Sequence, residues 1–396
     1  MRARDPHEPH RAASSLELFF DLVFVVAVGV ASAQLHHALS ADHIVNGVLM
    51  FALVFFAIWW AWMNFTWFAT SFDVDDWLYR VLTFVQMGGV LVMAAGIAPV
   101  FEHHDFRVLV WSYVVMRIAM VAQWLRAAAS EQTLRTTTLT YAAGIAIVQV
   151  LWVLSLALPA ETMPVAVPLL VIAELAVPIV AERRRATPWH PHHIAERYSA
   201  LTIVTLGEGV VGTVAILQAV VEEEGWTTES AVFGLSAMVM IFAMWWIYFT
   251  VPVGDALHLN QSKCFQWGYG HTVIFMSAAA TGAGLEVAAL WTEHEAKISA
   301  GAVVACVAVP LGIYCLSVLG MYDYLVKFDP VSLLCAVGAV ALLVAGVWMA
   351  FAGVSLTISV VVVALAPVFI VIVDEAFRVP RRAQALVDMG LDVVVS

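Results

Sequence analysis

Charge is what this sequence has least of. Asp, Glu, Lys and Arg make up 12% of its 396 residues, where a soluble globular chain carries about 25%. With 62% of the residues hydrophobic, the apolar surface exceeds what a folded interior can take in, which excludes a cytosolic enzyme. Cysteine is scarce as well. Cys264, Cys306, Cys315 and Cys335 form no CxxC pair and three of them fall in apolar runs, so they read as small buried hydrophobes and exclude a disulfide framework or a Cys-based zinc site. Lys263, Lys297 and Lys327 are the three lysines, all in loops or at helix ends, so a retinal Schiff base has no nucleophile inside a bundle. No GxxxxGK[ST] loop is present to hydrolyse ATP. The 30 acids and 18 bases, net −12, include no basic patch, which excludes a nucleic-acid partner. No cofactor is implied by any motif.

What the sequence does have is long apolar runs. Mean hydropathy is +0.90, and stretches of about 20 apolar residues, each long enough for a membrane-spanning helix, recur twelve times. They fall near 14–38, 44–70, 78–100, 106–128, 136–158, 163–181, 194–220, 230–252, 265–290, 297–322, 329–352 and 354–375. The first run opens with Glu17 and Asp21 and shows no small-residue cleavage site, so it is expected to be retained. An even number of spans puts both termini on one side. That side collects fifteen basic residues, among them Arg2, Arg4, Arg11, Arg183, Arg184, Arg185, Arg378, Arg381 and Arg382, against Arg107 and Lys297 opposite and Arg117 within a span. The positive-inside rule makes it cytoplasmic. The expectation is an all-α integral membrane protein of the plasma membrane, with lipids as its surroundings and its oligomeric state open.

The chain also echoes itself. Phe56-Ala57-Ile58-Trp59-Trp60 returns as Phe242-Ala243-Met244-Trp245-Trp246 after 186 residues, and Asp21 finds Glu208 after 187. Ala95-Gly96 returns as Ala283-Gly284 after 188, and Pro178 as Pro367 after 189. A steadily growing offset points to a duplication. Because six is even, the two six-helix repeats would run parallel. The expected divisions are a cytoplasmic segment 1–13, a first half 14–181, a linker 182–193, a second half 194–375 and a tail 376–396.

Charged side chains inside spans cost about 2.5–3.5 kcal/mol each on insertion scales and need a partner or a wet cavity. At the 1.5 Å helical rise, Glu208 and Arg117 lie roughly 15 to 20 Å into their spans, and Glu174 sits near the middle of its own. Tyr198, Thr202, Thr205, Glu208, Gly209 and Gly212 share one helical face, a stripe suited to a close-packed polar interior. Glu208 is therefore either a proton- or cation-binding carboxylate or a helix lock, neutralised by Arg117 or held by the threonines. Arg117 is a counter-charge or a substrate anchor, with Asp21, Glu174 and Glu208 as possible partners. Glu17 and Asp21, one turn apart, form either a second such site or a solvated helix start. Glu286 lies toward the outer end of its span and His271 toward the inner end of the same one. His36, His37, His43, His103 and His104 lie on the outer side as pH sensors or solvated loop residues.

Three further signals each admit a bland reading. Gly207-Glu208-Gly209-Val210-Val211-Gly212 fits GxGxxG but lies inside an apolar helix, so the dinucleotide reading has no strand to support it. The run WHPHHIAERY holds His190, His192, His193 and Glu196, conceivable metal ligands, yet they crowd a Pro-containing segment with no second ligand pair. Aromatics around Trp59, Trp60, Trp62, Trp67, Trp245 and Trp246 line an apolar pocket or serve packing and interface belts.

Taken together, the opening LELFFDLVFVVAV from Leu16, the stretch His193-Ile194-Ala195-Glu196-Arg197-Tyr198 running into LTIVTLGEGVVG, and Tyr269-Gly270-His271 leading to Gly284-Leu285-Glu286 resemble the low temperature requirement protein A (LtrA) family over essentially the whole chain. One departure is Gly209, where the family more usually has Ser. The resemblance implies a multi-pass membrane protein tied to growth in the cold. Its motif positions single out Glu17, Asp21, His193, Glu196, Arg197, Glu208, His271 and Glu286, and it carries no substrate. The leading expectation is a secondary transporter or proton-coupled carrier of an unknown small molecule or ion. The alternatives are a membrane-embedded enzyme or lipid-handling protein, with Glu17, Asp21, His193 and Glu196 converging at the cytoplasmic leaflet, and an accessory protein whose acids are helix glue.

Overall fold

A computed structural model describes residues 1, 3–5, 8 and 11–390, without the side chains of residues 223 and 224. Arg2, counted above on the basic side, lies outside the described residues, as do residues 391–396 of the expected tail. The described chain contains helices and no strands. They are α1 (Ser15–Ser40), α2 (Ile44–Phe72), α3 (Trp77–Ala95), α4 (Ile97–His103), α5 (Arg107–Ser130), α6 (Arg135–Ser155), α7 (Met163–Glu182) and α8 (Pro191–Glu224). The second half continues with α9 (Thr228–Phe249), α10 (Val253–Leu259), α11 (Cys264–Thr292), α12 (Ala300–Leu325), α13 (Pro330–Phe351), α14 (Leu356–Val373) and α15 (Val379–Asp388). Twelve of the described segments are long and apolar enough to cross a membrane, in the places the hydrophobic runs mark.

Local chemistry fixes the ends. Ser14 and Glu17 exchange hydrogen bonds, the Ser14 hydroxyl accepting from the Glu17 amide at 3.3 Å and the Glu17 carboxylate from the Ser14 amide at 2.8 Å. This capping box satisfies two orphan amides and fixes one oxygen of Glu17. Asp76 caps α3, and Thr227 and Ser230 form a second box at α9. Asp329 caps α13 with Pro330 at its first position. Gly353, at φ +89°, makes the turn between α13 and α14, a conformation a side chain would strain. Gly96 interrupts α3 and α4, whereas its echo Gly284 lies inside α11. A Pro start brings α8 forward to residue 191, so three of the four residues His190–His193 are helical. After α14 a π-helical turn over Asp374–Arg378 leads into α15, so helix extends well into the region expected as a tail.

The chain divides into two compact units, one of residues 1–31 and 56–197, the other of residues 32–55 and 198–396. In the first unit α3, α5, α6 and α7 pack in chain order, and its core is aromatic. Phe20 stacks on Phe65 at 4.0 Å, and Trp59, Trp60 and Trp62 are fully buried. In the second unit α11, α12, α13, α14 and α9 pack in succession. Here Trp245 and Trp246 are half exposed, with the Trp246 indole donating to Glu375 at 2.7 Å. The two copies of the FA-x-WW echo thus occupy different surroundings. Leu169, Ile172, Leu333, Val337 and Trp348 are among the apolar side chains that face outward, as a lipid-facing surface requires.

Candidate functional site

Four ionisable residues meet inside the first unit. Arg197 donates from Nη2 to Asp21 Oδ1 at 2.6 Å, and the Trp62 indole donates to the same oxygen at 2.6 Å. Thr66 Oγ1 accepts a longer bond from Arg197 at 3.4 Å. One turn earlier on α1, Glu17 Oε1 stands 3.0 Å from His193 Nε2 and 3.9 Å from Arg197 Nη1. All four side chains are buried. Glu17 and Asp21 are four residues apart on α1, and His193 and Arg197 four apart on α8, so two helical faces meet residue against residue. A guanidinium bridging two carboxylates is a fixed ionic joint. Asp21 and Glu17 are therefore not at a solvated helix start.

Arg117 on α5 finds Glu174 on α7 at 3.3 Å, resolving its three possible partners. The Trp60 indole donates to the same Glu174 oxygen at 2.7 Å, and the guanidinium lies over the Tyr113 ring at 4.8 Å. This is a second internal ion pair of the first unit, braced by the Trp60 indole on the acid and by the Tyr113 ring, which takes the cation on its π face.

The second unit holds Glu208. It is 6% exposed, on α8, where α8 and α11 approach through glycine. A Cβ on Gly282 would lie 2.5 Å from the Glu208 carbonyl carbon, and one on Gly212 would lie 2.7 Å from the Gly282 carbonyl oxygen. Backbones can come this close only without side chains between them. The neighbours of the Glu208 carboxylate are Ser32 and a second carboxylate, Glu286 on α11. Glu286 in turn stands 2.5 Å from His36 Nδ1 on α1, and the His36 and His37 rings pack at 4.2 Å. Among the described residues no Lys, Arg or His lies within ion-pair distance of Glu208. Two acids and a histidine thus form one cluster of protonatable groups, with no permanent cation within ion-pair distance of Glu208 among the described residues.

Residues 12–367 match the sequence model of the bacterial low temperature requirement A protein (LtrA). The chain belongs to the LtrA family. A similar protein is an uncharacterized protein of Rhizobium meliloti (strain 1021), 29% identical over 246 residues, which are 60% of this chain and 58% of that relative. The chain thus covers somewhat more than half the length of that curated relative.

The motif residues of this LtrA-family chain separate into distinct settings. Glu17, Asp21, His193 and Arg197 form the joint of the first unit, while Glu208 and Glu286 form the acid cluster of the second. His271 belongs to neither. Its Nδ1 bonds the Trp267 carbonyl at 2.8 Å, so that nitrogen carries the proton, and Nε2 accepts from the Tyr248 hydroxyl at 3.0 Å. Packed against Tyr198 at 5.0 Å as well, it is a neutral tie within the second unit. Thr205 returns its hydroxyl to the Thr202 carbonyl at 3.0 Å, as threonines in apolar helices do, and so holds its own helix. The possible metal ligands turn to different partners. His190 Nε2 meets the Glu8 carbonyl at 2.9 Å, His193 meets Glu17 at 3.0 Å, and Glu196 accepts from the Ala13 amide at 3.1 Å. Among the described residues no three His, Cys, Asp or Glu side chains group as a metal set. Gly209 of the LtrA motif packs against the Ile241 side chain, so a Ser there requires Ile241 to turn aside.

Two networks escaped the sequence reading. Arg382 donates to both Asp374 oxygens at 2.6 and 2.7 Å, and Arg378 reaches Asp323 at 3.0 Å and Asp374 at 3.1 Å. The spacing of four from 374 to 378 to 382 was the signal, hidden because basic residues after an apolar run read as a tail. The other is at the N-terminus. Arg11 donates to the carbonyls of Thr70 and Ala69, while Arg4 and Arg11 stand 3.9 and 4.0 Å from Asp73. Burial, with Glu17 adding repulsion, pushes the Asp73 carboxyl above its ordinary value of 3.8. The folded protein therefore holds this proton more tightly than the unfolded chain, and stability falls as pH rises through the window that opens at 3.8. Asp73→Asn is expected to remove that slope and raise the melting temperature at neutral pH. A mutant melting lower there would mean that Arg4 and Arg11 hold the charged form.

Proposed function

We propose that this LtrA-family protein is a secondary transporter, a proton-coupled carrier of a small molecule or ion, in which Glu208 takes up and releases the proton. The observation that carries this reading is the contrast among the buried acids. Asp21 and Glu174 are each matched by an arginine, whose charge is permanent at any accessible pH. Glu208 has beside it a second acid and, through that acid, a histidine. Only the second arrangement changes charge by moving protons, and carboxylates buried in a membrane span are functional by default. The cluster also lies where the α8 and α11 backbones approach closely through glycine, so a change of charge there acts on a helix contact.

Internal recurrence at offsets of 186 to 189 residues supports two parallel six-helix repeats. The excess of basic residues on one side supports a plasma-membrane location with both termini cytoplasmic. The test is a thermal-unfolding panel of the detergent-purified protein against ions, amino acids, sugars, drugs and lipids across a pH series, followed by proton-flux assays in proteoliposomes on any compound that stabilises. A compound at 100 times its Kd should stabilise by about 2.7 kcal/mol. In Glu208→Gln the flux and the pH dependence of binding are expected to vanish while the protein still folds. Wild-type flux in that variant would remove Glu208 from the mechanism.

A further inference from the structure

Within the first unit a small cavity lies between α1, α2, α3 and α5, lined by Phe20, Ala61, Gln86, Met116, Arg117 and Met120. Its volume of about 10 Å³ is room for one water molecule. Four of the six lining residues are apolar. The other two each carry a buried N–H donor, Arg117 Nε and Gln86 Nε2, with no hydrogen-bond partner among the described residues. Both side chains are at least nine-tenths buried, Arg117 at 3% and Gln86 at 4% exposed.

We infer that this cavity is a built internal water site, in which one water accepts hydrogen bonds from Arg117 and Gln86. The inference goes beyond the Glu208 reading and does not depend on it. Two unpartnered donors on residues that line one cavity call for an occupant that accepts, because a buried donor left unmade carries its full desolvation cost. A water and a halide both accept, and charge decides between them. Arg117 is already neutralised by Glu174 at 3.3 Å, so an anion would leave a net negative charge in an apolar interior, while a water leaves none. Water also has the two to four hydrogen-bonding positions such a cavity uses. Its effect is to hydrate a buried span arginine at its Nε, an atom that Glu174 does not bond.

Met116 and Met120 on the cavity wall are built-in reporters. Intense X-rays split water into hydroxyl radicals where the water sits; a radical adds to a methionine thioether in contact, and dissolved dioxygen takes the second electron to complete the sulfoxide. In the detergent-purified protein, mass spectrometry should find Met116 and Met120 oxidised severalfold faster than Met93. Met93 is fully buried in the same unit and is not on the cavity wall. Equal rates at all three would overturn the inference. Gln86→Leu should lower oxidation of Met116 and Met120 to the Met93 rate, with Gln86→Met as the second variant if the first does not fold. Undiminished oxidation in a folded variant would also overturn it. Replacing chloride by gluconate should leave the wild-type melting temperature unchanged; a fall on chloride removal would assign the cavity to a halide instead.

Discussion

Arg197→Met is expected to prevent the protein from accumulating in folded form, or to cost about 3–5 kcal/mol where it can be purified. That is the penalty for leaving buried charges without their partner. Arg197 is fully buried, with Asp21 at 2.6 Å and Glu17 at 3.9 Å. Methionine fills similar volume but supplies no charge, so two carboxylates would face one another across His193 alone. The damage should be partly reversed by a second change, Asp21→Asn, which removes the acid that Arg197 contacts most closely and keeps an acceptor for the Trp62 indole. Melting curves of the single and double variants in one detergent measure both effects. A single variant that melts with wild type would show that the joint of the first unit contributes nothing to the fold.

Gly282→Ala should be nearly as costly for a different reason. Its added methyl would meet the carbonyl carbon of Glu208 at 2.5 Å, the oxygen at 2.6 Å and the Gly209 amide nitrogen at 2.7 Å. These are backbone atoms and cannot rotate away, so α8 and α11 must separate. Overpacking of this kind costs about 1–3 kcal/mol, and the separation would also shift Glu208 from Glu286. Gly320→Ala is the control, because its Cβ would meet nothing within 4 Å. Alanine in place of an unhindered helical glycine is expected to be neutral or to stabilise by up to about 1 kcal/mol. Equal melting temperatures for the two variants would remove the close crossing as a feature of the site.

How far the sequence reaches is seen in these same residues. Helix-forming runs depend on length and local apolarity, so all twelve were legible, with most ends within about four residues, but the eighth span runs on to Leu259 and the twelfth to Asp388, well beyond 252 and 375. Pairs on one helix, such as Glu17 with Asp21, followed from the spacing of four. Partners across helices did not. Arg117 could be assigned three acids, and the choice of Glu174, 57 residues away, is made by packing. The carboxylate Glu286 was visible as a polar break in its span, but its meeting with His36 across 250 positions of chain was not. Arg378 and Arg382 read as tail, apart from Asp374 at the end of the last span, because composition alone does not tell a solvated basic stretch from a buried ion network.

Infrared spectroscopy of the protein in lipid bilayers, recorded over a pH series, tests the role of Glu208 most directly. A buried carboxylic acid shows a C=O stretch that is lost when the proton leaves. Wild type is expected to show one such band that titrates reversibly, that is absent in Glu208→Gln, and that shifts its midpoint in Glu286→Gln, since removing the neighbouring charge changes the hold on the proton. An identical titrating band in wild type and Glu208→Gln would contradict the assignment of Glu208 as the proton-loading carboxylate.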